Sequence, residues 1–177
     1  HSYQTKREQH ATQGISIKQW VQLWRGIPKI NRSISQQETA YKLMLQWYYT
    51  PTCLHAIFPS ASLTCWRCQH HPGDFQQIWW SCSVITTYWK EILVHVKNVI
   101  GFPSPADYCT VILRVRPIGL VPMSHADWYL ISHMTGSAKQ LIALFWKSPS
   151  PAHSVLFFVP LVSLSNGTHV PPAPRFC

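Results

Sequence analysis

The stretch that decides the fold runs from Ser83 to Pro103, SVITTYWKEILVHVKNVIGFP. In it Ile85, Tyr88, Trp89, Ile92, Val96 and Val99 recur at spacings of three and four, which is the period of one buried helix face. Gly101 follows as a C-cap, because glycine takes the left-handed conformation without a Cβ clash, and Pro103 follows as a stop. The expectation is a helix over 83–100.

Working outward, two more stripes flank it upstream. Ile17, Trp20, Val21 and Trp24 mark a short helix over 17–25, with Gly26 and Pro28 as its stop. Tyr41, Met44, Leu45 and Tyr48 mark another over 36–49. There Ser35 and Glu38 form an S-x-x-E capping box, and Pro51 ends the helix. Downstream, residues 102–123 hold Pro103, Pro105, Pro117 and Pro122 and read as an irregular connector, with Val111 to Val115 as a candidate short strand. Ser124 and Asp127 suggest a further cap. Trp128, Ile131, Ala138, Leu141, Ile142 and Phe145 then trace a helix over 126–147, weakened at Gly136. The fold class expected is mainly α, a small helical assembly around a cysteine-rich loop at 52–82 that has the spacing of a zinc site. Residues 1–14 read as a flexible linker and 152–177 as an irregular, proline-rich tail. The loop shows no helical period and little apolar sequence to bury, so a metal or the flanking helices must hold it.

The charge balance narrows the function. The 177 residues carry a net charge of +9 and only six carboxylates: Glu8, Glu38, Asp74, Glu91, Asp107 and Asp127. The closest two are 16 residues apart, so no local acidic pair can hold two metals as a polymerase does. A thiol nucleophile from Cys65 or Cys68 with Asp74 has no orienting partner in view. The expectation is a protein without catalytic activity of its own. Residues 1–42 hold seven basic side chains (Lys6, Arg7, Lys18, Arg25, Lys29, Arg32, Lys42) against two acidic ones. Phosphate backbones attract such an excess, and bases stack on aromatics such as Trp24, Trp66 or Trp79. The plainer reading is a solvated basic surface, with most of Trp47, Trp80, Trp89 and Trp146 packed between helices.

The cysteines carry the most specific chemistry. Cys65-Trp66-Arg67-Cys68 is a CxxC, whose two thiolates on one tight turn can both reach a zinc ion at about 2.3 Å. Cys82 is a third ligand in reach. Structural zinc is ordinarily four-coordinate, so one donor is missing, and His70 or His71 are candidates. Two buried thiols or a redox pair remain alternatives, although the redox reading needs a βαβ unit. Disulfides need an oxidising compartment, and no secretory signal precedes the helices. No apolar run approaches the ~20 residues of a spanning helix.

Read together, Trp47-Tyr48-Tyr49-Thr50-Pro51, Ile57-Phe58-Pro59, Cys65-Trp66-Arg67-Cys68, Ile78-Trp79-Trp80-Ser81-Cys82 and Tyr88-Trp89 resemble the C-terminal zinc-binding segment of non-LTR retrotransposon (long interspersed element) reverse transcriptases. The run Ala138 to Pro149, AKQLIALFWKSP, is similar to that family's C-terminal helix. The resemblance covers roughly Gln19 to Pro151, within a segment bounded at 15–151, and excludes the tail. It implies zinc on Cys65, Cys68 and Cys82; of the nearby donors, His71, His70 or water would complete the set. It also implies contacts to an RNA or DNA backbone and an upstream reverse transcriptase domain as partner; by charge, the residues that would make those contacts are Lys18, Arg25, Lys29, Arg32, Lys42 and Arg67. The role implied is support of target-primed reverse transcription in nucleus and cytoplasm, with no membrane. Two positions depart from the pattern. Gln77 stands where the family has a zinc-binding histidine, and Gln69 stands where it favours glycine. A decayed copy, a structural or interaction fragment with no independent activity, is the alternative.

Overall fold

The computed structural model describes residues 15–31, 33–117 and 123–149. Among them there are helices and no strands: α1 (Ile17–Ile30), α2 (Ile34–Met44), α3 (Pro51–Ile57), α4 (Ser83–Ile100), α5 (Tyr108–Val111) and α6 (His125–Leu144). A π-helical turn, Gln77–Ser81, precedes α4. The protein is mainly helical, as expected. The linker at 1–14 and the tail at 152–177 lie outside the described residues.

α6 is the central element. It packs against α1, α2 and α4, and ten of its residues, from Ile131 to Ile142, are buried. A helix buried on this many sides sits inside the molecule, and its polar atoms therefore need partners. Thr135 Oγ1 donates to the Ile131 carbonyl at 2.8 Å. From α4, Tyr88 Oη donates to the Ala138 carbonyl at 3.1 Å. Two amides tie α6 to α2: Gln36 Nε2 to Ser137 Oγ at 3.3 Å and Gln140 Nε2 to Ser35 Oγ at 2.8 Å.

The helix over 83–100 forms with the expected ends, and Gly101 takes φ 82° as its left-handed cap. The Ser124–Asp127 box forms in full at the start of α6. Elsewhere the boundaries differ, each for a local reason. α1 does not stop at Gly26 but runs through Pro28 to Ile30. Ile27 is buried, and its carbonyl accepts from both the backbone and the side chain of Asn31 at 3.1 and 2.7 Å. That anchoring outweighs the hydrogen bond proline removes. α2 begins two residues earlier than the expected box, capped by Ser33 rather than Ser35, and ends well before Pro51. Gln46 there adopts φ 48°, the Trp47 N–H reaches the Lys42 carbonyl at 2.8 Å and the Gln46 N–H the Leu43 carbonyl at 3.0 Å. This is a Schellman stop built on glutamine instead of glycine.

Pro51, expected as a terminator, is the first residue of α3, with Thr50 as N-cap. Its fixed φ suits that position, where no N–H is needed. The strand at 111–115 is absent: Asp107 accepts from the Thr110 N–H at 2.8 Å and starts α5 instead. The cysteine-rich loop also buries apolar surface, contrary to expectation. Cys65, Ile78, Trp79 and Cys82 are fully enclosed. The Trp79 ring lies 5.2 Å from Tyr48 and 5.3 Å from Trp146, and its carbonyl accepts from Trp89 Nε1 at 2.9 Å. No helix among the described residues is long and apolar enough to cross a membrane.

Candidate metal centre

The loop folds into a knuckle before it reaches α4. The Cys65 N–H donates to the His70 carbonyl at 2.8 Å and the Gln69 N–H donates back to Cys65 at 3.0 Å, closing a tight turn around Trp66 and Arg67. Gln69 takes φ 60° in that turn, a left-handed conformation that costs a side chain and suits glycine. The departure noted at Gln69 is therefore a strained position. Gly73 returns the chain beneath the knuckle. A Cβ there would lie 2.8 Å from Pro51 Cγ and 2.9 Å from the Cys65 nitrogen, so only glycine lets the strands of the loop approach. Asp74 accepts from the Gln77 N–H at 2.7 Å and starts the helical turn that carries Gln77, Ile78 and Trp79.

The π turn has a specific consequence. Its wider winding lets the Cys82 N–H reach the Gln77 carbonyl at 2.9 Å, and it places Cys82 at the mouth of α4 facing the knuckle. The sulfurs of Cys65, Cys68 and Cys82 all lie within 4.8 Å of one another. A zinc ion bonded at about 2.3 Å to tetrahedral sulfurs sets them roughly 3.8 Å apart, a spacing this cluster can meet. Of the described cysteines none is in a disulfide. The three expected thiol ligands are thus brought together and can hold a metal ion. His71 is exposed and does not belong to the group, and His70 is exposed as well.

Gln77 lies beside the cluster. Its Nε2 lies 3.3 Å from Cys68 Sγ, and its Oε1 accepts from Ser81 Oγ at 2.7 Å. The thiols differ in acidity. Burial raises the Cys68 pKa, but hydrogen bonds from the His70 backbone, the Gln77 amide and the other two thiols outweigh it and leave it at about 7. Burial holds Cys82 up at about 11, against hydrogen bonds from the Ile85 and Val84 backbone.

Arg67, expected to contact nucleic acid, is buried instead. Its Nη2 donates to the carbonyls of Phe145 and Trp146 at 3.1 and 3.0 Å, just past the end of α6. Its Nε and Nη1 have no hydrogen-bond partner. Burial lowers its pKa, while negative charge on Cys82, Cys65 and Cys68 raises it. Arg67 is thus a buried cation beside the three sulfurs. A divalent ion on three thiolates would carry a net charge of −1, which Arg67 would offset. Sequence reasoning missed this role because a basic residue inside CxxC reads equally well as a phosphate contact.

The other basic candidates fall on the surface. Lys18, Arg25 and Lys29 are exposed on α1, and their spacings of seven and four put them along one helix face. Lys42 pairs with Glu38 at 2.7 Å, and Arg32 lies outside the described residues. The expected stacking aromatics are largely interior: Trp79 is fully buried, Trp24 lies against Tyr41 at 5.7 Å and Trp66 against Trp146 at 5.7 Å. Trp47, expected between helices, is exposed, as are Tyr49 and Phe58. No family model matches the sequence.

Proposed function

We propose that residues 15–151 form a non-catalytic nucleic-acid-binding module of the kind found at the C-terminus of retrotransposon reverse transcriptases, organised by a structural zinc ion. The observation that carries the reading is the cluster of three thiols with Gln77 beside it and Arg67 as counter-charge. Zinc on this set would have Cys65, Cys68 and Cys82 as ligands, with water, or Gln77 Oε1 after its carboxamide turns over, completing a tetrahedron. Its contribution is folding free energy, because it ties the knuckle to α4 and α6. Phosphate contacts fall to Lys18, Arg25 and Lys29 on α1, and base stacking to the exposed Trp47, Tyr49 and Phe58.

The test is RNA affinity as a function of salt, measured by fluorescence anisotropy on a short single strand. A steep loss of affinity is expected, with a log–log slope that becomes shallower by about 2 when Lys18, Arg25 and Lys29 are all changed to glutamine. An affinity that does not respond to salt, or a triple variant with the wild-type slope, contradicts the interface. A second reading draws on the same Gln77. Loss of the histidine ligand and strain at Gln69 suit a decayed copy with no activity of its own. That reading expects no measurable RNA affinity and no metal.

A further inference from the structure

A cavity of about 390 Å³ lies between α1, the 112–117 segment and α6. Its lining combines apolar side chains, Leu23, Ile27, Met44 and Trp128, with the cations Arg114 and Lys139. Both cations are enclosed: Arg114 is 9% exposed and Lys139 is 2% exposed. Lys139 Nζ donates to the Val111 and Ile112 carbonyls at 2.9 and 3.2 Å. Arg114 Nε and Nη1 have no hydrogen-bond partner. No carboxylate among the described residues lines the cavity. Two buried cations side by side, with unspent donors and no counter-charge, form an expensive arrangement unless an anion joins them. The chain also makes room for it. A Cβ at Gly136 would collide with Arg114 Nη2, so the mid-helix glycine that weakens α6 is what admits the guanidinium. Arg114 itself takes φ 61°, a strained conformation that turns its side chain inward.

We propose that this cavity is a phosphate-binding site, in which Arg114 and Lys139 hold the oxyanion. Guanidinium donors match tetrahedral oxyanions in geometry and charge. The space exceeds what one phosphate fills, and its apolar lining suits a group attached to the phosphate. Arg116, at the rim, is fixed by donating from Nη2 to the Met123 carbonyl at 2.6 Å. Burial depresses both pKa values, that of Lys139 further through Arg114, and a bound anion relieves both. The site is independent of the cysteine cluster.

Titration calorimetry of the full chain with inorganic phosphate, at constant ionic strength in chloride, tests it. One saturable site per chain is expected, with backbone amide shifts in the ¹⁵N spectrum centred on Val115 and Gly136. Arg114→Met and Lys139→Met should each weaken binding at least tenfold. Binding should persist after chelation of metal, which separates this site from the zinc reading. A 5′-phosphorylated dinucleotide that binds more tightly than phosphate assigns the site to a strand terminus, and equal or weaker binding assigns it to free phosphate. Absence of a saturable site in the wild-type chain overturns the proposal, as do amide shifts centred elsewhere or undiminished binding by folded Arg114→Met. Should that variant fail to fold, the wild-type amide shifts decide.

Discussion

Gln77 and Gln69 are single residues on which the metal centre turns. Gln77 already presents its side chain to Cys68, so Gln77→His should raise zinc affinity at least tenfold, read by competition with a chromophoric chelator. An unchanged affinity would mean the π turn does not aim the side chain at the ion. Gln69 holds φ 60°, and Gln69→Gly should stabilise the chain by about 1 kcal/mol in urea titration by relieving left-handed strain. Lys139 makes a pH prediction. Its folded pKa is depressed by burial and by Arg114, so in that window the unfolded state binds more protons and stability rises with pH. The gain extends from the depressed value up to the ordinary lysine pKa near 10.4. The slope of melting temperature against pH between about 8 and 10 should therefore be shallower in Lys139→Met. Identical slopes would contradict a buried, destabilised ammonium. Sequence alone made Cys65, Cys68 and Cys82 legible through spacing. It could not show that Arg67 turns inward to α6, because that depends on a contact 78 residues away.

At the scale of elements, periodicity revealed α4 and α6, whose stripes are long and which each carry one ordinary cap, Gly101 at the end of α4 and the Ser124–Asp127 box at the start of α6. It misplaced the elements that rely on unusual punctuation. α2 ends on a left-handed glutamine, α3 begins on a proline and α1 passes through one. In each case the residue type carries one meaning in the average and the tertiary contacts impose another. The candidate strand at 111–115 had the right side chains, but Asp107 capped a helical turn first. Pro28 in particular lacks the N–H that would bond back to Trp24, and it is exposed. Pro28→Ala should stabilise α1 by about 1 kcal/mol or more, after subtracting the entropy gained by the unfolded chain. A loss of stability would show that the proline sets a path the packing of Ile27 needs.

For the whole molecule, the cysteine cluster and the core are one structure. The knuckle carries Trp66 and Arg67 to Trp146 and the end of α6, and the π turn carries Trp79 into the aromatic cluster with Tyr48 and Phe75. Removing the ion should therefore loosen α4 and α6 as well as the loop. The measurement that tests this most directly is zinc content per chain, on protein purified without chelator, with reactive thiols mapped in parallel. One zinc per chain is expected, with Cys65, Cys68 and Cys82 protected until chelator is added and helix content falling as the zinc leaves. A chain that carries no zinc, with all three thiols freely reactive and an unchanged circular dichroism spectrum in chelator, would contradict a structural metal centre.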